Sequence, residues 1–448
     1  MGSLSHERID VVRAMIETAP DNAVRELEAA LRDDAAGKGL AAVRELIDAE
    51  VWDRNVRDAV FSPLLPLCQP RGDGFEQIQF PAVVLPRLWR VMKKACPTPI
   101  SVALASLTAG SDGEGAFPPA YDQLCREASA ALQGGDPQFA AITEFLEAYR
   151  PGAAQQLAVF LGVTPLARAA LPRLHAWIRN MSSDHAAAVR LMYKDAVKIS
   201  DDGGPYLIEM LTAQLREPAT ILRLVSAVTR GAGDRYLSSS EMGRFGERVL
   251  ANIDSHLQRL RLFDVEKGPE AADEAAKGVG VAVIAAAEFE ANLELDKEGV
   301  WGQRLSKQKG ALASITEGYL KKCGKLVAEA LPMQPVRVGG ATLRNEPNLT
   351  LMPDERLVRR AMAGLTFFDK SRLCASQGGY GVVRAKVCEE ITHGLDSYIE
   401  DLLGLLHAKD EGLNLEVANA YLDVVAEFMG LIQDQKSAQI VRRRAAAV

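Results

Sequence analysis

The apolar positions in the last part of the chain keep a helical spacing. Val383, Val387, Ile391, Leu395, Tyr398, Leu402 and Leu406 follow one another by three or four residues, which places them on one face of a helix. After Gly412, Leu415, Ala418, Leu422, Val425, Met429 and Ile432 alternate steps of three and four, as a coiled-coil seam does. The pattern predicts an antiparallel helical hairpin over 382–436. Its seam covers fewer than three heptads, so it is expected to pack on the rest of the chain rather than on a second copy.

Similar periodicity, punctuated by glycine and proline, runs through most of the sequence. Ala23-Val24-Arg25-Glu26-Leu27 recurs as Ala42-Val43-Arg44-Glu45-Leu46 with Gly37, Lys38 and Gly39 between, which reads as helix, turn, helix. Phe61 to Phe80 is an irregular Pro- and Gly-rich connection in which Arg71-Gly72-Asp73 is a plain turn. Helices follow over 83–95, 121–132 and 137–149, the last started by Asp136 and Pro137. Pro151 and Pro165 mark breaks before a helix over 169–180, and Glu217-Pro218 opens a helix that Gly231 ends. Ser238-Ser239-Ser240-Glu241 matches a capping box.

One echo suggests duplication. Leu85-Pro86-Arg87-Leu88 returns as Leu171-Pro172-Arg173-Leu174, an offset of 171 − 85 = 86 residues, and Pro119-Ala120-Tyr121 is followed at nearly the same distance by Gly204-Pro205-Tyr206. That period is close to twice a HEAT or armadillo repeat.

Residues 264–278 are acidic and poor in large apolar side chains, and read as an exposed linker. Beyond them the pattern predicts helices over 279–295 and 306–331. A β-hairpin near 336–343 turns at Gly339-Gly340, and another helix runs from Pro353 to Phe368. The expected fold is therefore all-α: stacked helical pairs, as an irregular bundle or a HEAT-like solenoid, with the C-terminal hairpin and one small β-hairpin. The expected domains are 1–263, a linker at 264–278, and 279–448.

Composition narrows the chemistry. The 448 residues carry a formal net charge of −7, with 48% hydrophobic and 6% aromatic residues, which disfavours a broad nucleic-acid surface. The cysteines Cys68, Cys96, Cys125, Cys323, Cys374 and Cys388 show no Cys-x-x-Cys spacing and are expected to be free buried thiols. The start, MGSLSHERID, lacks the apolar core of a signal peptide. The richest apolar window, Val279 to Phe289, falls short of a membrane span. The expectation is a cytoplasmic protein of undetermined oligomeric state.

No motif predicts a catalytic residue, cofactor or metal. Glu390-Ile391-Thr392-His393 has a di-iron spacing but occurs once and lies off the apolar face of its helix. Asp33-Asp34 and Asp201-Asp202 read as turn or cap residues, and Gly278-Val279-Gly280 lacks the third glycine of a dinucleotide loop. No Gly-x-Ser-x-Gly elbow or Walker loop is present. The electrostatic anomaly is a basic window, with Arg356, Arg359, Arg360, Lys370, Arg372, Arg384 and Lys386 against the single acid Asp369 between 356 and 388. Gly378, Gly379 and Gly381 lie inside it, just before the long helix, where free amides could hold an anion or an acidic partner. Alternatively Val358, Met362, Leu365, Phe367 and Phe368 could belong to a helix lying on an anionic membrane. The expected function is a non-catalytic interaction or scaffold protein that binds another protein through its helical surface. The alternatives are an enzyme with a spatially assembled pocket, or binding of anionic lipid or nucleic acid through 356–386.

Overall fold

The computed structural model describes residues 6–33, 41–108, 118–231, 233–338, 342–408 and 414–432, with 436, 439–440 and 442–443 of the tail. The chain forms two compact units, Met1–Arg230 and Gly231–Val448. Their boundary falls where Arg230 (φ 57°) and Gly231 (φ 72°) are left-handed in succession and end a helix. Arg230 is the one non-glycine with positive φ among the described residues. The expected boundary at 264–278 is thereby displaced. Val265–Lys267 is a 3-10 turn, and a helix begins at Pro269 and buries Ala272 and Ala276. Alanine suffices to pack a close helix contact, so a shortage of large apolar residues does not mark a linker there.

The first unit comprises α1 (His6–Thr18), α2 (Asp21–Asp33), α3 (Ala41–Val60), α4 (Val84–Ala95), α5 (Pro97–Thr108), α6 (Pro119–Gly134), α7 (Ala140–Tyr149), α8 (Ala153–Arg179), α9 (Ser183–Ile199), α10 (Gly203–Ala213) and α11 (Leu222–Thr229). The expected α2–α3 pair is present; its Gly37–Gly39 turn lies outside the described residues. Ile16, Val24 and Ile47 form a small core among α1, α2 and α3. The centre of the unit is α8, packed on α6, α7, α9, α10 and α11. It is long and apolar enough to cross a membrane, which the sequence reading did not anticipate, and 67% of its apolar window is buried inside the unit.

Pro165 and Pro172 both lie inside α8, so Pro165 is no break. An interior proline costs about 3 kcal/mol. Burial on nearly every side of the segment Ala153–Thr164, including Leu157, Phe160, Leu161 and Val163, exceeds that at about 1.5–3 kcal/mol per large side chain. The 86-residue echo consequently falls on different structures: Pro86 is in the first turn of α4, whereas Pro172 is deep within α8. The second landmark does match: Pro119 and Pro205 each lie in the first turn of a helix, α6 and α10, that packs on α8.

Arg168 ties the unit together. Its side chain is 2% exposed; Nε donates to Asp122 at 3.0 Å, and Nη1 and Nη2 donate to the Ala59 and Val60 carbonyls at 2.9 and 2.6 Å. A cation from α8 thus caps the C-terminal end of α3, where the helix dipole is negative. Arg71 makes a second tie. It pairs with Asp73 within the expected turn and donates to the Leu215 carbonyl at 3.0 Å.

The second unit comprises α12 (Asp234–Ser238), α13 (Gly243–Arg261), α14 (Pro269–Asn292), α15 (Val300–Ala330), β1 (Met333–Val338), β2 (Thr342–Pro347), α16 (Glu355–Lys370), α17 (Gly381–Ala408) and α18 (Leu415–Ile432). Its helices pack mostly on those one or two places away in the chain, as stacked pairs do. The antiparallel hairpin pairs Val338 with Thr342 and Met333 with Pro347; Gly339 and Gly340 lie outside the described residues, as does Gly412. The capping box is not formed. Ser239 and Ser240 instead donate their hydroxyls to carbonyls of α12, at 3.1 Å to Tyr236 and 2.8 Å to Leu237, and α13 begins after Met242 with no side-chain cap.

The α17–α18 hairpin buries Val387, Ile391, Leu395, Tyr398, Leu402 and Leu406 on one arm, and Ala418, Leu422, Val425, Met429 and Ile432 on the other. α18 also packs on α16, and α17 on α15.

All six cysteines are free; Cys68, Cys125 and Cys323 are buried, whereas Cys96, Cys374 and Cys388 are half-buried. Burial pushes the thiols of Cys68, Cys125 and Cys323 up to about 12.

Candidate functional site

The basic window divides into two places. At the first, the Asp354 carboxylate caps α16 by accepting from the amides of Arg356 (2.8 Å) and Leu357 (3.1 Å). The first turns of α16 then lie against the 3-10 turn before α14. Glu266 pairs with Arg356 at 3.1 Å and with Arg360 at 2.9 Å, and Arg360 also lies 3.4 Å from Glu329. Arg359 donates to the Lys267 carbonyl at 3.4 Å and rests on Gly268 (φ 92°), where a Cβ would come within 2.7 Å of its Nε. The acidic segment read as a linker and the basic segment read as an anion site are therefore partners, 90 residues apart in sequence.

The second place is the connection from α16 to α17, a tip built around Tyr380. This side chain is fully buried, its hydroxyl donates to the Ser371 carbonyl at 2.8 Å, and burial raises its pKa. Glycine at 378 makes room, since a Cβ there would lie 2.4 Å from the Tyr380 ring. The amides of Gly378, Gly379 and Tyr380 donate to the carbonyls of Cys374 (2.7 Å), Ser376 (3.3 Å) and Ala375 (3.2 Å). They close the loop on itself, so the amides of Gly378 and Gly379 are not an open anion cradle. Gly381 starts α17 beside Ala375.

Charge surrounds this loop. Lys370 and Arg372 lie 3.6 and 4.0 Å from Asp369, and Lys386 lies 3.7 Å from Glu390. All three cationic side chains are more than half exposed. Arg384 stacks 4.4 Å from the centre of the Phe368 ring and donates to the Phe368 carbonyl at 3.3 Å. Burial, with the nearby charge of Arg372, lowers its pKa. Phe367 and Phe368 are core residues at 1% and 0% exposure, and Leu365 is buried. This removes the expectation that α16 lies on a membrane through these residues. The aliphatic groups presented here are ones the sequence did not mark: Leu373 at 88% and Val382 at 87% exposure. The available signal was that Val382 sits beside, not on, the apolar spacing of α17.

The first unit holds a cleft of about 600 Å³ between the α1–α2 turn, α3 and α4. Six of its ionisable side chains pair with one another. Asp21 accepts from Arg54 at 2.7 Å and Arg57 at 2.8 Å, Glu50 from Arg54 at 2.7 Å, and Asp53 from Lys93 at 2.9 Å and the Trp89 indole at 3.0 Å. Burial pushes the Asp21 carboxyl up, but the hydrogen bond and charge of Arg57, with those of Arg54, hold it below its ordinary value of 3.8. The folded value lies below the unfolded one, so the stabilisation is complete above 3.8 and is lost as pH falls through the folded value. Because Asp21 is nearly half exposed, Asp21→Asn should cost only about 1 kcal/mol at neutral pH. The urea midpoints of wild type and variant should converge in acid; a difference that persists there would show the loss is not electrostatic.

Glu390 and His393 are exposed at the rim of a groove of about 470 Å³ between α15 and α17. No group of three metal-ligating side chains is assembled among the described residues. Tyr398 lines the same groove, and its buried hydroxyl has no hydrogen-bond partner. Comparison of the chain with known protein families, curated proteins and solved structures returns no match.

Proposed function

We propose that the protein is a non-catalytic binding protein that engages a macromolecule with an acidic surface through the tip at 370–386. The observation that carries this reading is the looseness of the tip's ion pairs. Exposed pairs at 3.6–4.0 Å contribute little to stability, so the charges of Lys370, Arg372 and Lys386 remain available to a partner. The arginines at the start of α16, by contrast, are held on Glu266 and the Lys267 carbonyl.

Heparin, a soluble polyanion, tests the reading. Wild type should be retained at low salt and released as salt rises. Lys370→Glu combined with Arg372→Glu and Lys386→Glu should weaken binding about tenfold or more without lowering the melting temperature. Arg356→Glu with Arg359→Glu should leave retention nearly unchanged. Equal retention of the tip variant and wild type would overturn the assignment.

A further inference from the structure

Among the described residues, Leu373 and Val382 are the most exposed of the large hydrophobic residues; Leu373 lies in the 3-10 turn after α16 and Val382 in the first turn of α17. The Tyr380 amide reaches the Ala375 carbonyl at 3.2 Å and its hydroxyl the Ser371 carbonyl at 2.8 Å. A Cβ on Gly381 would stand 3.5 Å from that same Ala375 carbonyl. Residues 373 and 382 thus flank a closed loop whose centre is pinned from beneath by a fully buried tyrosine. From Asp369 to Glu390 the chain carries four cations, Lys370, Arg372, Arg384 and Lys386, against three acids, Asp369, Glu389 and Glu390, in a protein of net charge −7.

Residues open over 88% and 87% of their surface stand proud of the protein, and neither lines the grooves described above. A protein partner would need a matching pocket for each. The interfacial layer of a bilayer accepts a projecting aliphatic group from any direction and adds anionic headgroups for the cations beside it. The long stems of Lys370, Arg372 and Lys386 can lie along the acyl boundary while their charges reach the phosphates.

Resting on the reading of the tip as a site for acidic macromolecules, we propose that the partner is a membrane surface bearing anionic phospholipid. Leu373 and Val382 enter its interfacial layer while Lys370, Arg372 and Lys386 hold the headgroups.

The test is co-sedimentation of the full chain with phosphatidylcholine vesicles, with and without phosphatidylserine. Binding should require phosphatidylserine and weaken with salt. Leu373→Ser with Val382→Ser changes no charge, so it separates insertion from attraction. It should reduce vesicle binding about tenfold or more, while heparin retention and the melting temperature stay as in wild type. Failure of wild type to bind phosphatidylserine vesicles, or equal binding by the serine variant, overturns the proposal. If heparin is retained while vesicles are not bound, the bilayer is excluded and the cationic tip stands; if neither binds, both readings fall.

Discussion

Replacing Arg168 with methionine should lower the unfolding free energy of the first unit by about 2–3 kcal/mol, chiefly the cost of leaving backbone acceptors without a donor. Methionine keeps much of the volume but removes the donors of the Ala59 and Val60 carbonyls, at 2.9 and 2.6 Å, whereas Asp122, at 3.0 Å and 33% exposed, gains water in exchange. Arg168→Lys should fall between, since one ammonium cannot reproduce a fork that serves three acceptors. Urea unfolding of the full chain, followed by a probe in the first unit, measures both. A loss below about 1 kcal/mol in the methionine variant would mean that water replaces the guanidinium and that Arg168 does not hold α8 to α3.

The second large effect is expected at Gly203. An added Cβ would stand 2.0 Å from the Ala196 carbonyl oxygen and 2.8 Å from its carbon. Those are backbone atoms of α9 and cannot swing aside, so Gly203→Ala must push the start of α10 away from α9. The expected loss is about 3 kcal/mol, at the upper end of overpacking penalties. Gly134→Ala serves as the comparison, because nothing lies within 4 Å of the added carbon there and alanine is the better helix former; it should be neutral or slightly stabilising. Equal melting temperatures for the two variants would refute the close approach of the helices.

The C-terminal hairpin was legible because a seam repeats: seven apolar residues at three- and four-residue steps leave one face to bury. Asp136-Pro137 was legible for a local reason, since the Asp136 cap and the Gln138 amide that donates to it are two residues apart. What escaped the sequence is pairwise and distant. Nothing near Arg356 announces Glu266, and nothing near Arg168 announces the end of α3. The continuity of α8 through two prolines depends on how many neighbours surround it, which local propensity does not register. The candidate site was half legible. Its charge excess is a sum over a window, whereas the exposure of Leu373 and Val382 depends on a loop folding over Tyr380. By composition alone both would be assigned to the core.

The free thiols carry a consequence of another kind. A sulfur whose pKa is pushed to about 12 stays protonated at neutral pH, and the protonated form is a poor nucleophile and slow to oxidise. Cys68 and Cys125 lie in the first unit and Cys323 in the second, so each half holds sulfur that becomes reactive only when that half opens. Oxidative damage at these positions accumulates in proportion to the time each unit spends unfolded. The chain thereby keeps separate chemical records of the lapses of its two halves.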